Sequence, residues 1–161
     1  MNKISAVIPT LNRPVDLALA VTSVLEQKHL PDELIIVDQS VDERSYIAVE
    51  GLYKNFDATP KLIYLHEPEV SGLIEAKQRG VEVAKGDIIS FLEDDVVLHQ
   101  QYFENAISIF KNNQKVIGCC GVMSNVHSGV LYEYLFKLFH RGIFYDPRLN
   151  AGKNRDCQGL G

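Results

Sequence analysis

The chain has 161 residues, of which 46% are apolar, and a formal net charge of −5. That supplies one domain with a real core and excludes a disordered chain. The negative balance excludes a sequence-independent grip on nucleic acid but leaves room for a local basic pocket.

Residues 4–9, ISAVIP, form an apolar run closed by Pro9 and read as a buried strand. Thr10 and Asn12 suit a turn, and Pro14 suits a first helical turn. Leu17, Ala20, Val21, Val24 and Leu25 then recur at helical spacing, which predicts a helix over 14–28. A second buried strand follows at 33–40, ending in Asp38, Gln39 and Ser40. A less regular helix covers about 42–55, with Ile47, Leu52 and Phe56 as core contacts. The third strand is 61–67 and the third helix 71–86, where Leu73, Ala76, Val83 and Ala84 share a face and Gly86 marks the stop. The fourth strand opens the stretch DIISFLEDDVVL, 87–98. A helix follows, with Phe103, Ala106, Ile107 and Phe110 in register, and then a glycine-weakened fifth strand at 116–122.

Strands that are continuous apolar runs, alternating with helices, predict a three-layer α/β/α sandwich around a mostly parallel sheet. Residues 131–145 are rich in large apolar groups and read as a helix packed on the fold, or as one lying on a membrane surface or partner. The segment after Asn150 has no closing element and reads as cut rather than finished. Cys119, Cys120 and Cys157 are odd in number and lack zinc spacing, so they read as thiols in a reducing compartment. The opening apolar run is too short for a signal peptide, and no run reaches the roughly 18 residues of a membrane span. The expectation is a soluble, cytoplasmic protein.

In an open parallel sheet, ligands bind beyond the carboxyl ends of the strands. Thr10, Asn12, Arg13, Asp38, Gln39, Ser40, His66, Glu67, Glu93, Asp94 and Asp95 therefore share one rim. Three adjacent acids there could be a solvated loop, a general acid or base, or a site for Mg²⁺ or Mn²⁺. In an extended strand end, Glu93 and Asp95 point one way and Asp94 the other. No G-x-G-x-x-G, G-x-x-x-x-G-K or G-x-S-x-G run is present, which argues against a dinucleotide dehydrogenase, a P-loop ATPase and a Ser/His/Asp hydrolase.

The blocks SAVIPTLNRPVDLALAVTSVLEQKHLPDELIIVDQS and SGLIEAKQRGVEVAKGDIISFLEDDVVL resemble family-2 glycosyltransferases of the GT-A, Rossmann-like fold, in order over about residues 4–110. The resemblance implies a metal-assisted, inverting transfer of a sugar from a nucleoside diphosphate sugar to a saccharide or lipid-linked acceptor. Polysaccharide synthesis at the inner face of a membrane is a common setting. It further implies that Asp95 binds a divalent cation, Mg²⁺ or Mn²⁺, with Glu93 in support. Pro9, Thr10, Arg13, Asp38, Gln39, Lys77 and Asp94 would then contact the donor. The general base would lie beyond Gly161, making 1–161 a single donor-binding domain without its acceptor half.

Two departures stand out. Gln39 replaces an acid expected to read the base, and Glu93 replaces an aspartate. Rival readings are a sugar-nucleotide nucleotidyltransferase, which wants a glycine-rich basic first loop, a non-catalytic nucleotide-binding module, and a receiver-type phosphoacceptor domain. The last wants a lysine after the fifth strand, where GVMSNVHSG has none.

Overall fold

The computed structural model describes residues 3–121. The chain divides into two compact units, 1–111 and 112–161, and the first holds the fold. Its elements in order are β1 (Ile4–Thr10), α1 (Pro14–Leu25), β2 (Glu33–Asp38), α2 (Arg44–Tyr53), β3 (Lys61–His66), α3 (Leu73–Val83), β4 (Ile88–Phe91) and α4 (Tyr102–Asn112). All strand pairings are parallel, and the sheet order is β3-β2-β1-β4.

Alternation along the strands divides the core. Ile4, Ala6, Ile8, Leu34 and Ile36 pack with Leu17, Val21 and Val24 of α1, Val49 of α2, and Phe103 and Ile107 of α4. Val7, Ile35 and Val37 face the other way, onto Ala76 of α3 and Val70. Both faces are covered, which is why the strands read as continuous apolar runs. The layering follows from connection handedness. The chain steps from β1 to β2 to β3 in one direction, with α1 and α2 on one face. It then crosses back to β4, so a right-handed connection must place α3 on the opposite face. There α3 lies close to β1, because a Cβ on Gly80 would run into the Val7 side chain.

The reversal of strand order puts the switch point between β1 and β4, and Pro9 opens it. Odd-numbered carbonyls of β1 serve β4: Lys3 accepts from Ile88 N–H at 3.0 Å and Val7 from Leu92 N–H at 2.9 Å. Even-numbered ones serve β2: Ile4 accepts from Asp32 N–H at 2.9 Å and Thr10 from Gln39 N–H at 3.0 Å. Pro9 faces the β4 side, where it has no N–H to give. The β1–β4 register accordingly ends at Val7 and Phe91, while β1–β2 continues to Thr10 and Asp38. The chain after Phe91 is free to turn away.

At the opposite end of the sheet, Glu33 is buried and accepts from the Ser5 hydroxyl at 2.8 Å and Lys85 N–H at 2.9 Å. Burial alone would raise its carboxyl, but these bonds and the nearby Lys61 and Lys85 charges hold it below its ordinary value.

Three expectations need correction. The fifth strand does not form: residues 113–121 carry no strand, and residue 122 lies outside the described residues. Val116 N–H instead closes a turn on the Asn113 carbonyl at 3.1 Å, and Ile117 is fully exposed. An apolar run becomes a strand only where a neighbour completes its ladder. Ile47 is 62% exposed, and Val49 takes the core position on α2 while Leu52 and Phe56 pack at its margin. Leu73 is also largely exposed, and α3 buries its small residues Ala76 and Gly80 instead. The segment 131–145, Cys157 and the chain's last residues lie outside the described part. Cys119 and Cys120 are free and exposed. Among the described residues, no helix is long and apolar enough to cross a membrane.

Candidate functional site

The carboxyl ends of β1, β2 and β4 bring the rim residues together. Asn12 adopts a left-handed φ of 57° and donates its N–H to Ser40 Oγ at 2.8 Å, tying the β1 exit to the β2 exit. Arg13 precedes Pro14, which keeps it out of the helical region, with φ −127° and ψ 57°. These two constrained residues carry the Arg13 side chain back over the acids.

The acids do not continue as a strand. The ladder ends with Leu92 N–H, and Asp94 and Asp95 form a turn, with Val96 N–H 3.4 Å from the Glu93 carbonyl. The expected alternation, with Glu93 and Asp95 on one side and Asp94 opposite, is therefore not what results. Asp94 Oδ1 and Asp95 Oδ2 each lie 3.2 Å from the same Arg13 nitrogen, Nη1. Asp94 is buried, and its Oδ2 accepts from the Thr10 hydroxyl at 2.8 Å. The Asp95 side chain is 56% exposed and that of Arg13 52%. Asp94, first by its charge and then by its hydrogen bond, raises the Arg13 guanidinium above its ordinary value, and Asp95 adds to this. Glu93 turns to Lys77 Nζ at 2.8 Å, and that ammonium also sits 5.6 Å from the Phe91 ring centroid.

The β2 end is organised differently. Asp38 is completely buried, and both carboxylate oxygens are engaged: Oδ1 by Ser40 N–H at 2.9 Å, Oδ2 by the Tyr64 hydroxyl at 2.5 Å. Burial, then the bond to Asp38 and its charge, push the Tyr64 hydroxyl far above its ordinary value. Tyr46 packs edge-on against Tyr64, with ring centroids 5.1 Å apart. His66 Nε2 lies 2.7 Å from the Ser40 carbonyl, which can only accept, so Nε2 carries the proton. Gln39 is buried, and its Oε1 accepts from Gly72 N–H at 3.0 Å. Gly72 has φ 97°, which explains a glycine at the head of α3.

The chemistry of this donor set suits a hard divalent cation. Two carboxylate oxygens from adjacent residues already converge on one positive group. Among the described residues no cluster of three or more His, Cys, Asp or Glu side chains could enclose a metal. A cation here would draw its remaining oxygens from water and a phosphorylated ligand, as Mg²⁺ usually does. Asp94 and Asp95 are the side chains that would hold it.

A family model described as "Glycosyl transferase family 2" matches residues 5–159. The chain belongs to glycosyl transferase family 2. Among curated relatives, it is 33% identical over 102 residues to the Drosophila melanogaster "Polypeptide N-acetylgalactosaminyltransferase 3", covering 62% of this chain and 15% of that one. It spans between 14% and 38% of the length of the curated relatives it matches. Among solved structures, S. aureus TarS 1-349 in complex with UDP-GlcNAc superposes with a TM-score of 0.58 at 19% identity, over 78% of this chain and 38% of that one. The mannosyltransferase PcManGT from Pyrobaculum calidifontis, in complex with GDP-Man and Mn²⁺, gives 0.57 at 21% identity, over 68% and 32%. Those structural likenesses are of fold. They agree with the expected α/β sandwich and GT-A architecture of family-2 glycosyltransferases.

Reading the sequence alone missed Tyr64 and Gly72. Tyr64 lies on β3 one strand away from the acid it holds, and only the register Asp38↔His66 and Ile36↔Tyr64 brings it near. Gly72 had a signal, since a glycine immediately before a helical run suggests a special φ.

Proposed function

We propose that this chain binds the nucleoside diphosphate sugar donor of an inverting glycosyltransferase, with the sugar passing to a saccharide or lipid-linked acceptor hydroxyl. The observation that carries the reading is the convergence of Asp94 and Asp95 on one Arg13 nitrogen at the switch point, 3.2 Å from each. A diphosphate leaving group gains negative charge as the glycosidic bond breaks, and a bound Mg²⁺ or Mn²⁺ offsets that charge.

Each side chain then has a role. Asp95, the exposed acid, is the direct metal ligand, and Asp94 stands beside it, held in place by Thr10. Arg13, which pairs with both acids, would meet a phosphate oxygen when they hold a cation. Lys77 supplies a second positive group and is held over Phe91 by Glu93. Glu93 has its extra methylene directed to Lys77 and supports the cation from a distance. Pro9 opens the crevice in which the donor lies. Asp38 contributes from beneath, fixing the Ser40 turn, while Gln39 meets the nucleoside. The structural neighbours in complex with UDP-GlcNAc, or with GDP-Man and Mn²⁺, lend support by analogy of fold.

Calorimetry with UDP, CDP, GDP and ADP, each with and without Mn²⁺, tests the reading. At least one should bind in a Mn²⁺-dependent way, and Asp95→Ala should abolish the Mn²⁺ dependence. Binding that ignores Mn²⁺ and survives Asp95→Ala unchanged would overturn the metal assignment.

A further inference from the structure

The amino end of the sheet holds an open cleft of about 210 Å³, lined by Lys3, Asp32, Glu33, Lys61, Lys85 and Gly86. β1 runs for 7 residues, which puts the cleft about 20 Å from the acids beyond the other end of the sheet. Glu33 is 6% exposed, and its Oε2 is filled by the Ser5 hydroxyl at 2.8 Å and Lys85 N–H at 2.9 Å. Its Oε1 takes no hydrogen bond among the described residues. Nor is Oε1 sealed away, because the sealed side-chain atoms without a partner there are Ser45 Oγ and the Tyr53 hydroxyl. Glu33 is also held in place from behind. Ser5 Oγ accepts from Gly86 N–H at 2.8 Å, and a Cβ on Gly86 would stand 2.6 Å from the Ser5 nitrogen, so the lead-in to β4 is pressed onto β1. A mostly buried carboxylate with one oxygen open to a cleft is an acceptor waiting for a donor.

The rest of the cleft says what that donor is attached to. Asp32 accepts from Ile4 N–H through Oδ2 at 2.8 Å, which leaves Oδ1 without a partner among the described residues. Lys61 is the register partner of Glu33. Lys3, Lys61 and Lys85 are exposed and form no salt bridge among the described residues. Two open carboxylate oxygens and three ammonium groups do not suit a simple ion. The lysines repel a divalent cation, and the carboxylates repel a bare phosphate. A ligand that carries both hydroxyls and an anionic group meets both sets. Its hydroxyls donate to Glu33 Oε1 and Asp32 Oδ1, and its anion accepts from the lysines. The cleft is smaller than the roughly 300–1,000 Å³ of a drug-sized site, which limits the ligand to about one sugar. We propose that the cleft at the amino end of the sheet binds a monosaccharide phosphate, at a site separate from the acidic rim.

Calorimetry at neutral pH without metal tests this with glucose 1-phosphate, glucose 6-phosphate and ribose 5-phosphate, against glucose and inorganic phosphate. At least one sugar phosphate should bind, about tenfold more tightly than glucose or inorganic phosphate. Glu33→Gln keeps an oxygen for Ser5 and Lys85 N–H and puts an amino group at the open position. It should weaken the sugar phosphate about tenfold while inorganic phosphate, freed of one repelling charge, binds at least as well. Lys61→Ala and Lys85→Ala remove exposed side chains and should each weaken the sugar phosphate about fivefold. Asp95→Ala, at the far end of the sheet, should leave it within about twofold. Thermal melting checks that each variant is folded, and the two lysine variants decide the matter if Glu33→Gln is not. Any of four results would overturn the proposal: no sugar phosphate binds, inorganic phosphate binds as tightly, folded lysine variants bind unchanged, or Asp95→Ala abolishes binding.

Discussion

Asp38→Ala removes a carboxylate that no solvent reaches, and with it the partners of Ser40 N–H and the Tyr64 hydroxyl. A hydrogen bond to a charged group contributes about 1.5–3 kcal/mol net. Ser40 is buried and its N–H has no water to turn to, so its loss falls toward the upper part of that range. Tyr64 is half-buried and can rotate its hydroxyl toward solvent, so its share falls toward the lower part. The two together predict a destabilisation of about 4 kcal/mol. Asp38→Asn should cost about 1 kcal/mol, because Ser40 N–H still has an oxygen to meet while Tyr64 must become the acceptor. Tyr64→Phe should cost about 1.5 kcal/mol, and combined with Asp38→Ala it should show a coupling of about 1 kcal/mol. Urea unfolding followed by far-ultraviolet circular dichroism measures these as midpoint shifts at constant slope. The same proteins report on function: Tyr64→Phe should leave nucleoside diphosphate affinity within about twofold, since Asp38 acts from beneath the site. An Asp38→Ala cost below about 0.5 kcal/mol, or strict additivity with Tyr64→Phe, would refute the claim that this carboxylate is a buried structural anchor.

Other consequences follow from the same contacts. The depressed Glu33 carboxyl adds stability above its unfolded value, near ~4.3 for glutamate, and that contribution is lost as pH falls through the lower folded value. Glu33→Gln should therefore flatten the stability profile between about pH 5 and pH 3, read from thermal midpoints across that range. Gly80→Ala sets a helix-propensity gain of about 1 kcal/mol against overpacking of about 1–3 kcal/mol on the buried, stiff Val7, so it should lower stability by about 1 kcal/mol in urea. Arg13→Ala leaves Asp94 and Asp95 repelling each other with no cation between them. Mn²⁺ binding without nucleotide, followed by electron paramagnetic resonance, should become tighter, and unchanged or weaker binding would show that Arg13 does not compete for that position.

Much of the fold was legible because burial on both faces writes itself into a strand. Ile4–Pro9 and Leu34–Val37 could be read as parallel strands from their apolarity, and the buried α1 face was read in Leu17, Ala20, Val21, Val24 and Leu25 but not in Ser23. What failed was decided by neighbours that sequence spacing does not reveal. VIGCCGV has strand composition, yet a strand requires a ladder, and the turn at Asn113 to Val116 takes its place. Ile47 and Val49 are equally apolar, and only the face that α2 turns to the core buries one and exposes the other. At the site, the residues of the rim were foreseen as a group because sheet geometry collects strand ends. Their pairing was not. An extended strand end would have matched Glu93 with Asp95, whereas the missing N–H of Pro9 frees the chain to turn, and Asp94 and Asp95 meet at Arg13 instead. The engagement of Asp38 was equally hidden, because its partner Tyr64 comes from another strand.

The proposed role of Asp94 and Asp95 is to hold a divalent cation that receives the donor's diphosphate. Its most direct test is a crystal structure of the chain with Mn²⁺ and a nucleoside diphosphate, with the ion located by anomalous scattering. An anomalous peak is expected within about 2.0–2.6 Å of an Asp95 carboxylate oxygen and of diphosphate oxygens, with Arg13 displaced from between the acids. A diphosphate bound away from this rim, or an ion peak elsewhere with Arg13 still bridging Asp94 and Asp95, would contradict it.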